Sequence, residues 1–293
     1  MRKGGHGSFP GERKPGGWRT KRKKVGLGIV EDPFALAAKN PMIWPLTVWE
    51  LDFKDPMMGK LKCEIQDGVR TSDANLNVTI SVFNPLVVIY IMDLFGRDAK
   101  VVYDPFAGGG TRAIVCAKQG LEYIGVEVRE EEVEAIFKRL DSVNAEADII
   151  CGDSRCIPEI ADQSADFLIT CPPYYNLEMY NGGANDLSMA ATYDDFLDGI
   201  EKVIKECHRI LKPGALSCWV VGLHRDKKGQ ILSIPSDIVN ICKSNGFFHK
   251  EEIILYWDKE VVALRRLSTF NKGNHFLIRC HEHLEVFVRK ESI

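Results

Sequence analysis

No apolar run in this 293-residue chain approaches the roughly 18 residues that span a bilayer, and no signal-peptide core follows the N-terminus. A membrane protein is therefore not expected; a cytoplasmic one is. The nine cysteines contain no Cys-x-x-Cys pair, and their odd number does not make a disulfide framework. Cys151 and Cys156 stand closest together, but no second pair completes a zinc site. Both read as reduced thiols near a strand end, and no metal is expected. Internal repeats and a second large domain are also lacking.

What is present is an ordinary soluble composition. Hydrophobic residues make up 45% and charged residues 27%, enough for one large α/β domain with appendages. The net charge of −3 conceals a division. Residues 1–24 hold nine Lys or Arg against the single acid Glu12, leaving 29 basic and 40 acidic residues elsewhere. Residues 1–29 read as a basic disordered tail, either a solubilising segment or an arm that holds a polyanion through counterion release. Residues 30–75 are broken by Pro33, Pro41, Pro45 and Pro56 into an irregular extension. Trp44 and Trp49 are expected to anchor it on the main domain, residues 76–293.

The main domain opens with a helix over 84–96, where Leu86, Tyr90 and Leu94 recur at spacings of four. A regular alternation follows. Strands are expected over 100–104, 121–128, 147–151, 166–170, 216–221 and 252–257, and helices over 111–119, 130–140, 193–211 and 236–244. Such alternation implies a parallel sheet with right-handed crossovers. No helix separates the sixth strand from a seventh at 284–289, so the seventh is expected to run antiparallel.

Two strand ends carry the chemistry. Asp166-Phe-Leu-Ile-Thr170 is a short buried strand stopped abruptly by Cys171-Pro-Pro-Tyr174. Neither proline can donate to a ladder and both fix φ, which gives a stiff loop with an aromatic ring beside exposed carbonyls. Upstream, Asp104-Pro-Phe-Ala-Gly-Gly-Gly-Thr111 joins the first strand to its helix. Its glycines let a ligand approach the backbone, and the helix N-terminus offers free N–H groups to an anion. The spacing is not the Gly-x-Gly-x-x-Gly of dinucleotide folds, and no Lys-Ser or Lys-Thr pair makes it a Walker loop. Glu127, at the end of the second strand, is placed to take both hydroxyls of a ribose. Asp153, after the third, is placed to accept from an adenine amino group.

Together the two loops resemble the cofactor and catalytic loops of amino-group DNA methyltransferases, and the likeness extends over residues 75–290. Ser81-Val-Phe-Asn-Pro85 is similar to the block that packs on the methionine end of the cofactor. The segments at 220–229 and 281–290 resemble those of bacteriophage-type members. The resemblance implies a Rossmann-like class I methyltransferase fold, with a seven-stranded, mostly parallel sheet, the last strand antiparallel and helices on both faces. It implies that S-adenosylmethionine is held by Phe83, Asp104, Pro105, Phe106, Ala107, Gly108, Gly110, Thr111, Glu127, Asp153 and Thr170. Catalysis is implied for Cys171, Pro172, Pro173 and Tyr174. In that family the side chain before the prolines and the carbonyl of the first proline accept from the target amine, and the tyrosine stacks on a flipped base.

Cys171 departs from the family pattern, which usually has Asp, Asn or Ser there; a thiol is a weak acceptor. The target base stays open between cytosine N4 and adenine N6. A ring-carbon cytosine methyltransferase with Cys171 as nucleophile fits poorly, because that family has its cysteine after a proline. DNA contacts are expected from Arg265, Arg266 and Lys272 in the segment 261–279, and from the loop 177–191. Methylation of an RNA base or a protein amide, or a non-catalytic DNA-binding role on the same scaffold, are the alternatives.

Overall fold

The computed structural model describes residues 46–51, 83–176, 183–226, 228–257 and 279–291. In chain order the strands are β1 (Val48–Leu51), β2 (Val101–Asp104), β3 (Glu122–Glu127), β4 (Asp148–Cys151), β5 (Ala165–Thr170), β6 (Leu211–Val221), β7 (His224–Arg225), β8 (Ile231–Leu232), β9 (Phe247–Trp257) and β10 (His281–Arg289). The longer helices are α1 (Pro85–Leu94), α2 (Thr111–Lys118), α3 (Glu130–Ser142), α4 (Tyr193–Ile210) and α5 (Ile234–Ser244).

Eight strands form one sheet in the order β1-β9-β10-β6-β5-β2-β3-β4, and β7 pairs with β8 in a separate hairpin. β10 runs antiparallel to both neighbours, and the other pairings of the large sheet are parallel. From β2 the chain winds outward through β3 and β4, then returns to lay β5 on the other side of β2. That reversal opens a crevice beyond the carboxyl ends of β2 and β5, where open α/β sheets bind their ligands. Helices α1, α2 and α3 pack on one face against Val102, Phe167, Ile169, Val220 and Val286. Helices α4 and α5 pack on the other against Tyr103, Leu168, Trp219 and Phe287. Among the described residues no helix is long and apolar enough to cross a membrane. Cys151 and Cys156 are exposed and free.

The sheet has eight strands where seven were expected. The extra one, β1, lies in the segment read as irregular, and it adds to the sheet edge in parallel with β9. Its burial alternates, with Trp49 and Leu51 inward and Val48 outward. Four residues after a proline carry too little periodicity to announce a strand; the pairing comes from β9, which is distant in sequence. Trp49 does anchor this piece. Its ring meets Tyr90 of α1 edge-on at 6.3 Å and its indole N–H donates to the carbonyl of Leu46 at 3.0 Å. Trp44 and the tail lie outside the described residues.

Local chemistry sets the helix starts. Asn84 caps α1 by accepting from the Leu86 amide at 2.9 Å, with Pro85 in the first turn, where its missing N–H does no harm. Thr192 and Asp195 form a reciprocal capping box on α4. Strand β6 begins at Leu211, five residues before the expected strand, with Gly214 in a left-handed conformation (φ +77°) opposite a register shift in β5.

Candidate active site

β2 and β5 are parallel neighbours, so the glycine turn after Asp104 and the proline loop after Thr170 leave the same edge of the sheet. Asp104 ties them together. Its wholly buried carboxylate accepts from Thr170 Oγ1 at 2.7 Å, from the Phe106 amide at 3.0 Å, from Tyr123 Oη at 2.6 Å and from Arg112 Nε. Arg112 also donates to the carbonyl of Phe106 and lies 4.7 Å from the centre of the Phe83 ring. Asp104 and Thr170, expected to touch the cofactor, thus spend their side chains on joining the loops. Arg112 and Tyr123 went unread in the sequence. Arg112 lies in α2, and nothing in the neighbouring sequence marks it as buried.

The turn is held from three sides. The Ala107 amide donates to the Val126 carbonyl at 2.8 Å, and Ala107 packs where Gly125 of β3 lacks a side chain. Gly109's carbonyl accepts from Arg139 of α3 at 2.9 Å, and Ser154 Oγ donates to the carbonyl of Pro105. Gly110 (φ +80°) begins α2, and a Cβ there would stand 2.9 Å from Ile136. Gly108 (φ +52°) is different: among the described residues a Cβ on it would meet only the Phe106 carbonyl, at 3.8 Å. Among the described residues, one side of the turn is therefore packed on protein and the other is open. Beside it, the first amides of α2, from Thr111 onward, have no intrahelical acceptors. An open glycine backbone next to free N–H groups suits the amino-acid carboxylate of S-adenosylmethionine.

Glu127, mostly buried at the end of β3, accepts from the Gly108 amide at 3.1 Å through Oε2. Its Oε1 takes the amide of Arg129 at 3.1 Å and its Nε at 3.0 Å. Burial pushes its pKa upward, and Arg129 opposes that shift. Asp153 is partly exposed and paired with Arg155, whose Nη2 lies 2.6 Å from Oδ2 and also donates to Asn185 Oδ1 at 3.0 Å. Burial raises the Asp153 pKa, but the hydrogen bonds from Arg155 outweigh it and hold the carboxyl below its ordinary range.

In the second loop Pro172 is buried, and Cys171, Pro173 and Tyr174 are half-buried. Cys171 packs against the hydrophobic cluster that α1, α2 and α3 form on the sheet. The two tyrosines diverge. Tyr175 packs on Tyr193 and Phe196 of α4, at ring distances of 5.6 and 5.9 Å. Tyr174 turns the other way and donates to Glu282 of β10 at 3.3 Å. Glu282 carried no role in the sequence reading, although its segment did contribute to the resemblance. Arg265, Arg266 and Lys272 lie outside the described residues, as does part of the loop 177–191.

Strand order, the antiparallel β10 and the glycine turn define the Rossmann-like fold of S-adenosylmethionine-dependent methyltransferases. A family model for DNA methylases of the N6/N4 type matches residues 64–138 and 165–293, well over half of the chain, and the chain belongs to that family. It is 28% identical over 96 residues to the type II methyltransferase M.BglII of Bacillus subtilis, a stretch of 33% of this chain and 25% of that one. The chain thus matches about a quarter of the length of that curated relative. Among solved structures, the [4+2]-cyclase SpnF superposes with a TM-score of 0.51 at 13% identity, covering 84% of this chain and 98% of that one. A methyltransferase from Methanosarcina mazei gives 0.46 at 14% identity, covering 67% and 94%. The former likeness concerns the fold alone. None of these relatives supports a bacteriophage origin.

Proposed function

We propose that the protein transfers a methyl group from S-adenosylmethionine to the exocyclic amine of a flipped base in DNA, cytosine N4 or adenine N6. The observation that carries this reading is the buried Thr170–Asp104 hydrogen bond of 2.7 Å, which fastens the glycine turn to the Pro-Pro-Tyr loop at one sheet edge. A donor in the turn and an acceptor amine in the loop would then be neighbours.

S-adenosylmethionine supplies an electrophilic methyl group when bound. Phe83, Pro105, Phe106, Ala107, Gly108, Gly110 and Thr111 would shape its methionine end, Glu127 would accept from the ribose, and Asp153 would meet the adenine. Asp104 and Thr170 would hold these groups in place. An aromatic amine is a poor nucleophile because its lone pair is delocalised into the ring. The Pro172 carbonyl and Cys171 Sγ would accept its two hydrogens and turn the lone pair toward the methyl, while Pro173 stiffens the loop. Tyr174 would stack on the base, an interaction of roughly 1–3 kcal/mol. Transfer forms an N–C bond, breaks an S–C bond and releases one amine proton to water. Arg265, Arg266 and Lys272 would hold backbone phosphates.

Incubation with S-adenosylmethionine labelled in the methyl group, offered DNA, RNA and protein in parallel, tests this. Label in DNA, lost in Tyr174→Ala, is expected. Label in RNA or protein alone would transfer the reading to those substrates. Tight DNA binding without cofactor binding would favour the non-catalytic role that the weak acceptor Cys171 permits.

A further inference from the structure

The hydroxyl end of Tyr174 lies in a slot formed by one antiparallel strand pair. In the register of β6 and β10, His283 faces Val221, so the next pair brings Glu282 opposite Gly222. Gly222 forms one wall: a Cβ there would stand 3.1 Å from Tyr174 Oη and 3.6 Å from two ring carbons. Glu282 forms the other, accepting the phenol hydrogen at 3.3 Å. Glu282 belongs to β10 and Gly222 directly follows the last residue of β6, whereas Tyr174 hangs from a loop. A ring held only by its loop can swing about its first side-chain torsion; one tethered at its far end cannot.

We propose that Glu282 is a positioning residue for base recognition, setting the plane of Tyr174 on which the target base stacks. This rests on the methyl-transfer reading above. Alignment of reacting groups makes a tethered ring worth more than a free one, because a displacement of about 1 Å can lower a rate 10²-fold. The slot also accounts for the opposed directions of the two tyrosines: Tyr175 is fixed by α4, so the loop is pinned on one side while Tyr174 is fixed by β10 on the other. Burial pushes the Glu282 carboxyl pKa upward, and the phenol hydrogen bond opposes it. Either protonation state keeps an oxygen that can accept from the phenol.

The test is a double-mutant cycle on the full chain with Glu282→Leu and Tyr174→Phe, with Glu282→Gln as the variant that keeps an acceptor oxygen. Methyl transfer to unmethylated genomic DNA is measured at saturating S-adenosylmethionine, and cofactor affinity by calorimetry. Each of the two truncations is expected to lower kcat by about tenfold, and the double variant by no more than Tyr174→Phe alone, because the phenol also bonds the Gly222 backbone and Glu282→Leu removes a contact that Tyr174→Phe already removes. Cofactor affinity should stay within about twofold, and Glu282→Gln should recover most of the rate. Multiplicative losses, or a Glu282→Leu effect confined to cofactor affinity, would overturn the proposal. Thermal unfolding of the same proteins reads the contact without substrate. If the wild type methylates no substrate while the melts still show non-additivity, the function has failed and the positioning role falls with it. If transfer is present without any non-additivity, the positioning role alone has failed.

Discussion

Thr170→Val removes one hydroxyl from the centre of the site and leaves the shape of the side chain. Thr170 and Asp104 are both wholly buried, and the bond between them measures 2.7 Å. Hydrogen bonds to charged groups contribute about 1.5–3 kcal/mol. Asp104 Oδ1 would keep only the Phe106 amide, so a destabilisation in that range is expected. At roughly 2–4 °C per kcal/mol for a large domain, the unfolding midpoint should fall by about 3–12 °C. The rate should fall further than the stability implies, because the lost bond also sets the distance between the two loops. A natural control stands one residue away from Asp104. Tyr103 is just as buried, but its hydroxyl has no hydrogen-bond partner among the described residues. Tyr103→Phe should therefore be neutral or slightly stabilising, since it deletes an unsatisfied polar group. Calorimetric melts and methyl-transfer rates on the three proteins decide the matter. Equal melts for Thr170→Val and Tyr103→Phe, with equal rates, would refute the claim that the bond joins the site.

Gly110→Ala meets two obstacles, a left-handed φ of +80° and Ile136 at 2.9 Å, whereas Gly120→Ala at φ +77° meets nothing within 4 Å among the described residues. The conformational strain is about 1–2 kcal/mol for either, so calorimetry should show an additional stability loss, together with weakened S-adenosylmethionine binding, for Gly110→Ala only. Glu285, buried in β10, has its pKa pushed up to about 8, first by burial and then by Glu252 opposite it in β9; His249 at 2.8 Å, His283 at 4.0 Å and the buried Cys242 of α5 also lie near it. The raised value means the folded state holds a proton that the unfolded chain releases near pH 4.5, so stability declines as pH rises from there to about 8. Glu285→Gln should gain stability relative to wild type at high pH and not at low pH; a constant offset in the melts across that window would contradict the assignment.

The sheet was legible because its causes are local. Apolar runs of four to six residues alternate with amphipathic helices, and turn residues mark each boundary, so strand sequence and the antiparallel β10 follow from connection lengths alone. What escaped was decided at a distance. β1 exists because β9 offers an edge about two hundred residues away in sequence, and Trp49 fills a gap beside Tyr90. Arg112 and Tyr123 meet at Asp104, and no spacing rule connects a residue in α2 and one in β3 to the same carboxylate. Glu282 reaches Tyr174 only because β10 runs against β6 and brings its first residues to the edge where β5 ends.

The three acids at consecutive strand ends show why the motif is easier to read than the role. Each was identified as a ligand group from its place at the carboxyl edge, yet each is engaged by its own scaffold. Asp104 is engaged by four donors and is wholly buried, so no lone pair remains that a ligand could reach. Asp153 is partly exposed, with both oxygens turned to Arg155. Among the described residues, Glu127 takes two donors on Oε1 but a single one, the Gly108 amide, on Oε2. A carboxylate oxygen accepts two hydrogen bonds, so Oε2 retains capacity beside the open face of the turn. The same edge that gathers unpaired amides for a ligand also gathers the cations needed to keep three carboxylates together. The acids therefore grade from Asp104, which builds the site, to Glu127, which retains the means to bind.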